Sequence, residues 1–565
     1  MRMNKRWILK TPSIPDPKTL RTIDCHPLVI SLLAARGYAG EADIRRFLSP
    51  LLGDMYNPSE MRDMDAAVVR LLNARAIGET VCVYGDYDVD GITATSLLTS
   101  FLRLTGFKCH YFIPNRFRDG YGLSIKPLER IIDDGSSLII SVDCGITAIE
   151  EALFCRARGA DLIIVDHHAP NPEIPKACAV LNPLRPGCGY PFKSLAGVGV
   201  AFNLLVALRA ALRDGNVIEA SQLPDLRQYL DLVALGTIAD MVPLTDQNRI
   251  YAAHGLKALS DSARVGVRAL KHVAAVNGSV GSGQVGFRLA PRLNAAGRME
   301  SAALGVDLLL SDDYDESLSI AAELDAVNEK RRALEDAVFE EAAEMADNPE
   351  RRSIVLASET WHQGVIGIVA SRLVERFHRP TILVSVDENG LGRGSGRGIP
   401  GFHMFEALTN CSSLLNRFGG HQYAAGLVIS KDKIGDFTSA FEAEASCVLQ
   451  DDDLCPRLEI DLEVGAEDVT LALLKDLKRM EPFGMGNPEP VFMMRAMTLT
   501  QRRVVGGNHL KLKLSGNGRI FDAIAFRMAE RYFPEKVDVA FTPEINLWNG
   551  TESLQLRIRD FRPSE

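Results

Sequence analysis

Three times between residues 76 and 185, a short run of apolar and β-branched residues ends on an acidic one. VCVYG leads into DYDVDG (86–91), LIISV into DCG (143–145), and LIIV into DHH (166–168). Stretches with helical spacing (TATSLLTSFLRL, PLERIIDDG, AIEEALFCRARG) lie between them. KCHYFIP and ACAVLNP add two more strand-like runs. A chain that alternates buried strands with helices in this way is restricted to a parallel sheet flanked by helices. Side chains just beyond the carboxyl ends of such strands share one edge, where ligands bind. The feature that sets the fold class, α/β, therefore also places a candidate site.

DYDVDG spaces Asp86, Asp88 and Asp90 at alternate positions before Gly91, as an EF-hand loop does. That loop needs a bidentate Glu at its twelfth position and a preceding helix. Here the twelfth residue from Asp86 is Leu97, and the strand-like VCVY precedes. The aspartates instead sit in a strand-to-helix turn. Alone, Asp143 reads as a capping residue and His167 as a satisfied core histidine. Their joint occurrence at three strand ends reads as a site. The apolar stretch LDLVALGTIADMVPL adds Asp240 at the end of a further helix. Asp and His together suit Mn²⁺ or Mg²⁺ better than a thiolate-type zinc site. The carboxylates are more than one ion needs, and a carboxylate shared by two ions serves in-line displacement at phosphorus.

The 565 residues carry a net charge of −10, with 46% hydrophobic and 24% charged residues. This is ordinary for globular protein of roughly three or four domains. A basic footprint over the whole chain is absent, so any nucleic-acid contact must be a local groove. No apolar run reaches the roughly 18 residues of a membrane span. The opening MRMNKRWILKTPSIPDP lacks the apolar core of a signal peptide, and the ten cysteines include no C-x-x-C pair. The expected setting is the reducing cytoplasm.

Composition and periodicity divide the chain into a helical lead-in (1–75), an α/β domain (76–275), a connector with a long helix (276–350), a smaller α/β domain (351–450) and a five-strand barrel of OB type (456–565). In the barrel, Arg495, Arg502, Arg503, Lys511, Lys513 and Arg519 interleave with Phe492, Phe521 and Phe526, a pattern suited to single-stranded nucleic acid. GRGSGRG (392–398) reads as a glycine-rich turn that lets the backbone, Arg393 and Arg397 approach a phosphate.

DYDVDG, VDCG, VDHH and GTIADMVPL resemble, in order, the four motifs of the DHH phosphoesterase superfamily. RLNAAGRM (292–299), WHQGVIGIVASRL (361–373), GRGSGRG and FGGHQYAAG (418–426) are similar to motifs of its DHH–DHHA1 branch. With PFGMGNPEP (482–490) ahead of the β-domain, the chain from about residue 50 onward resembles the bacterial RecJ family of exonucleases. The resemblance implies that 76–275 is a DHH catalytic domain, 351–450 a DHHA1 domain and 456–565 an OB domain. It implies that Asp88 and Asp90 each ligate one of two metal ions, Mn²⁺ or Mg²⁺. Asp143 would bridge them, His167 and Asp240 would complete the second site, and Asp86 is a further ligand candidate in the same turn. His168 would face the scissile phosphate, acting with Asp143 in catalysis.

Ser395 and Arg397, helped by Arg116, would bind a 5′-terminal phosphate. Arg292, Asn294, Arg298 and His421 are further substrate candidates, although Asn294 suits the stabilising of its own turn as well. Many relatives carry serine where Gly398 stands, so that hydroxyl is missing here. The implied activity is 5′→3′ hydrolysis of single-stranded DNA to mononucleotides in DNA repair and recombination. The implied partners are single-stranded DNA with a 5′ end, single-strand-binding protein and a helicase, with no membrane. The alternatives are another DHH–DHHA1 phosphodiesterase, acting on oligoribonucleotides or cyclic dinucleotides, or a non-catalytic single-strand-binding scaffold.

Overall fold

A strand opens the chain where helix alone was expected: β1, Arg6–Leu9. The computed structural model describes residues 5–11, 17–115, 118–120, 122–299, 301–346, 348, 350–548 and 551–564. They fall into two units. The first gathers Gly40–Asn328 with Lys478–Glu489, and the second holds residues up to Ala39, Glu329–Leu477 and Pro490–Glu565.

In the first unit the strand-like runs form one parallel sheet. Its strands are β2 (Thr80–Gly85), β3 (Lys108–Phe112), β4 (Leu138–Val142), β5 (Asp161–Val165) and β6 (Ala179–Leu181), in the order β3-β2-β4-β5-β6. Successive side chains point to opposite faces of a strand. Val81, Val83, Ile140 and Ile163 therefore pack with Leu98 and Leu205 on one face. Cys82, Tyr84, Ile139 and Ile164 pack with Leu128 and Cys155 on the other. Both faces are covered, which explains the near-continuous apolar runs. The strands also end in register: Gly85 pairs with Val142, Val142 with Val165, and Val165 with Leu181. Asp86, Asp143 and Asp166 consequently leave the sheet at one level.

The expected long helix is unbroken over 32 residues, Tyr314–Met345. Its Leu324 joins the first unit's core, and its Val338 and Ala342 pack with Trp361 and Val369 in the second. The second unit holds β7 (Ile354–Ser358), β8 (Thr381–Val386), β9 (Leu391–Arg397), β10 (Arg417–Gly420) and β11 (Ala424–Ser430), in the order β10-β11-β9-β8-β7. Next, β12 (Arg457–Ile460) pairs in parallel with β1. A closing sheet follows from β13 (Leu462–Glu463), β14 (Phe492–Val505), β15 (His509–Gly516), β16 (Arg519–Ala525), β17 (Lys536–Trp548) and β18 (Thr551–Pro563). The order is β13-β14-β15-β16-β18-β17, and β17 pairs back onto β14, so five strands close a barrel. No described helix is long and apolar enough to cross a membrane.

Lys478–Glu489 lies inside the stretch read as barrel domain, yet it belongs to the first unit. Arg249 explains why. It is 2% exposed and stacks over Phe47 at 3.8 Å. It donates to the carbonyls of Phe47 (2.8 Å), Met480 (2.9 Å), Arg479 (3.0 Å) and Glu481 (2.9 Å). A guanidinium has five N–H donors and no acceptor, so a turn of converging carbonyls is a fitting partner in the interior. Arg249→Met keeps the bulk and removes every donor. With hydrogen bonds from a charged group contributing roughly 1.5–3 kcal/mol each, it should destabilise the first unit by at least about 3 kcal/mol. Hydrogen exchange of β2 and β4 across a urea series reads this, and an unchanged midpoint would contradict it. A deletion meant to remove only the barrel should likewise retain Lys478–Glu489.

Candidate metal centre

The in-register strand ends deliver acidic side chains to one edge. After β2 the chain turns at Asp86 into the helix Val89–Leu104, whose N-cap is Asp88. Asp88 Oδ1 accepts from the N–H of Asp90 (3.0 Å) and Gly91 (3.1 Å). Asp90 is buried, and its carboxylate accepts from the N–H of Gly197 (2.6 Å) and Val198 (2.8 Å). Those groups begin the helix Gly197–Asp214, an end that favours negative charge. After β4, Asp143 takes a left-handed backbone with φ 60, which Asp tolerates better than most residues. Its carboxylate presses on Gly197, where a Cβ would come within 2.7 Å of Oδ1. Asp240 ends the helix Leu230–Ala239.

These groups converge. His167 Nε2 is 3.1 Å from Asp143, 3.6 Å from Asp240 and 3.9 Å from Asp90. Asp90, His167 and Asp240 can each bring one ligand atom within 4.8 Å of the others. Asp86, Asp88 and Asp143 do the same, as do Asp143, His167 and His168. Asp143 thus stands between two donor sets. Asp143 Oδ1, His167 Nε2 and Asp240 Oδ2 are buried without a hydrogen-bond partner, an arrangement that calls for a cation. Oxygen donors with one imidazole fit Mn²⁺ or Mg²⁺, and two sets sharing a carboxylate fit a pair of such ions.

Crowding shapes the proton affinities. Burial, then the charge of Asp88, pushes Asp90 up to about 7. Burial, then Asp90 and Asp88, pushes Asp240 up to about 9. Asp143 is raised well above the usual carboxylate range by burial and by Asp90. Burial and the charge of His168 hold His167 down at about 4, which keeps it neutral and able to ligate. Sequence reasoning left Asp166 without a role, though its strand-end position carried the signal. It accepts from the N–H of Ile146 (2.9 Å), His167 (2.7 Å) and His168 (3.1 Å), and from His168 Nδ1 (2.7 Å). Burial works against its charge, but the His168 hydrogen bond overrides this and holds Asp166 at about 2. Burial likewise opposes the His168 charge, yet Asp166 carries it up to about 9.

The substrate candidates divide between the units. Asn294 Oδ1 accepts from Val89 N–H (3.1 Å) and so holds the acidic turn. Gly297, on the same helix, lies so close that a Cβ would be 2.3 Å from the Tyr87 carbonyl. Arg292 pairs with Asp325 at 2.8 Å and donates to the Arg288 carbonyl. Arg298 is half-buried on this helix, Ala290–Met299. Arg116 lies outside the described residues.

Ser395 and Arg397 lie on strand β9, contrary to the turn expected for GRGSGRG. The glycines of β9 face the core: a Cβ on Gly392, Gly394 or Gly396 would strike Val384, Leu427 or Met404 at 2.5–2.7 Å. Strand alternation then places Arg393, Ser395 and Arg397 on the opposite face. Arg397 donates to Ser395 Oγ (3.2 Å) and the Gly396 carbonyl (2.8 Å). His421 is exposed in the turn between β10 and β11, close in sequence to Ala424, which pairs with Arg397. In the barrel, Phe492 and Phe521 are core residues, and only Phe526 of the expected aromatic set is exposed. The same alternation that exposes Lys511 and Lys513 turns them inward.

Residues 80–237 match the DHH family, N-terminal domain, residues 351–446 the DHHA1 domain, and residues 460–560 the RecJ OB domain. The chain is 39% identical to the single-stranded-DNA-specific exonuclease RecJ of Bacillus subtilis (strain 168), over 99% of this chain and 71% of that protein. The chain belongs to the RecJ family. Its structure matches the crystal structure of RecJ in complex with Mn²⁺ from Thermus thermophilus with a TM-score of 0.85 at 31% identity, over 99% of this chain and 80% of that one. The corresponding Mg²⁺ complex matches with a TM-score of 0.80 at 30% identity, over 99% and 79%. Membership in the RecJ family accounts for the α/β fold, the smaller DHHA1 domain and the OB-type barrel together.

The proton affinities predict how the metal-free chain responds to pH. Asp240 and His168 hold protons to about pH 9 when folded. Between about pH 6.5 and 9 the folded chain therefore binds more protons than the unfolded one, and stability falls as pH rises. Below pH 6.5 the raised Asp90, Asp143 and Asp240 still hold extra protons and the depressed His167 offsets only one of them, so the slope should become shallower without reversing. In EDTA the thermal midpoint should drop across pH 6.5–9, and saturating Mn²⁺ should abolish the drop. A flat profile in EDTA would refute this electrostatic picture.

Proposed function

We infer that this chain is a metal-dependent exonuclease specific for single-stranded DNA, the activity for which its RecJ relatives are named. The observation that carries this is Asp143 standing between two donor sets, in a chain that matches the family's DHH, DHHA1 and OB parts. The enzyme uses Mn²⁺ or Mg²⁺, the ions held by its solved relatives. Near-complete alignment and the barrel favour this activity over that of other DHH phosphodiesterases. The intact ligand set speaks against a non-catalytic scaffold.

In this reading Asp86, Asp88 and Asp143 would hold one ion, and Asp90, His167 and Asp240 the other, with Asp143 shared. When bound, the ions supply Lewis acidity and lower the pKa of water. The backbone N–H groups of Gly197 and Val198 orient Asp90. Asp166 fixes the His168 ring through Nδ1, which leaves Nε2 to donate to a phosphate oxygen of the scissile bond. Arg397 with Ser395, and Arg116, bind the 5′-terminal phosphate. The reading includes 5′→3′ polarity and release of 5′-mononucleotides, as the family resemblance implies. Arg298 and His421 touch the strand, Asn294 holds the acidic turn, and Arg292 supports its helix. The boundaries 76–275, 351–450 and 456–565 serve as working domains, with 478–489 assigned to the first. We place the enzyme in the cytoplasm, in DNA repair and recombination, beside single-strand-binding protein and a helicase.

Digestion of single- and double-stranded oligonucleotides labelled at either end, with and without EDTA, tests the activity. Cleavage should be confined to single strands, start from the 5′ end and vanish with EDTA; equal attack on duplex would refute the specificity. Asp143→Asn keeps a side chain that accepts the left-handed backbone but takes the shared charge from both donor sets. It should reduce turnover to background while the chain stays folded by circular dichroism, and wild-type turnover in Mn²⁺ would refute the shared role. Arg397→Ala should lower kcat/KM on a 5′-phosphorylated strand by about ten- to a hundredfold, from a charged hydrogen bond of roughly 1.5–3 kcal/mol. The same strand with a 5′-hydroxyl should be much less affected. Equal slowing on both would place Arg397 elsewhere in the mechanism.

A further inference from the structure

Three large apolar side chains of the first unit stand in solvent on segments tied to the loop that follows Asp240. Met241 directly follows Asp240 and is 66% exposed. Its backbone is left-handed, φ 61, a conformation that persists only where the surroundings impose it. Met485 is 53% exposed, and its carbonyl accepts from Leu244 N–H at 2.7 Å. Gly486 beside it is so close to Pro243 that a Cβ would lie 2.9 Å from that ring. Phe287 is 87% exposed and belongs to a single π-helical turn, Val285–Leu289. Just before that turn, the Ser282 hydroxyl donates to the Phe483 carbonyl at 2.6 Å. Residues 483–486 thus tie the loop after Asp240 to the π turn.

Scattered exposed hydrophobics are normal on any protein. Three on segments bonded to one another, one of them directly after a proposed metal ligand, ask for a use. Val285 and Leu289 are buried and anchor the π turn, a feature frequent at functional sites. Phe287 itself contributes no packing. Arg288 next to it is exposed and brings positive charge to the same turn.

We propose that Phe287, flanked by Met241 and Met485, is a base-stacking rim of the nuclease centre. It would receive an unpaired nucleobase close to the scissile phosphate. The proposal rests on the single-strand exonuclease reading and deepens it. Every base offers a π face, so an aromatic rim binds without sequence preference. The two thioether side chains can adapt to purine or pyrimidine. A paired base must first leave its partner and its stack to reach the rim, which favours single strands over duplex.

The test compares two 5′-phosphorylated oligonucleotides, one ordinary and one whose first residues are tetrahydrofuran abasic sites, with wild type, Phe287→Ala and Phe287→Trp. Wild type should prefer the base-bearing strand by about tenfold in kcat/KM, the scale of one base–aromatic stack. Phe287→Ala should lose most of that preference while cleaving the abasic strand within about twofold of wild type. Phe287→Trp should retain it. Because Phe287 is exposed, the variants should fold, and their circular dichroism should match wild type. A preference unchanged in Phe287→Ala, or equal slowing on both strands, would overturn the rim. Failure of wild type to degrade any single strand would instead overturn the exonuclease reading, and the rim with it.

Discussion

Repulsion among carboxylates gathered at one sheet edge is the constraint that the first unit is arranged around. Asp86, Asp88, Asp90, Asp143, Asp166 and Asp240 crowd within reach of two histidines, and in a low-dielectric interior like charges are costly. The surrounding structure offsets part of this. Asp90 takes two N–H groups from a helix N-terminus, Asp88 takes two from its own helix, and Asp166 binds a histidine held cationic. What remains, in Asp143, Asp240 and His167, is the part that protein donors leave open. The unsatisfied remainder defines the metal centre better than any one residue does.

Holding that edge together takes contacts from far along the chain. Asn294 grips the acidic turn through Val89, and Gly297 admits the Tyr87 backbone. Arg249 pins residues 479–481 to the first unit, and Met485 pins the loop that follows Asp240. The turn PFGMGNPEP, which in sequence simply precedes the barrel, is structurally a strap on the catalytic unit. The barrel's strands are therefore interrupted by a segment that serves the metal centre.

Much of this was legible in the residues. The runs ending at Gly85, Val142 and Val165 are short, β-branched and followed by acids, and a parallel sheet buried on both faces has no other sequence form. The convergence of Asp143, His167 and Asp240 was readable because residues of hard-ligand type at strand and helix ends have few other reasons to recur. The glycines of β9 were not. A glycine at an exposed phosphate turn and a glycine pressed against Leu427 or Met404 look alike until the partner strand is known. Phe492 and Phe521 were misread for the same reason, since inward and outward faces depend on register.

Local pattern, then, was enough for the fold class, the ligand types and the edge they share, because strand periodicity and strand-end chemistry are properties of neighbouring residues. Which carboxylates converge, which histidine is charged and which is neutral, and where 478–489 belongs were decided only in three dimensions. Each depends on distances between segments remote in sequence: His167 to Asp240, Asp90 to Gly197, Arg249 to Met480. Electrostatic and hydrogen-bond energies vary with those distances over a few ångströms, and no local pattern encodes them.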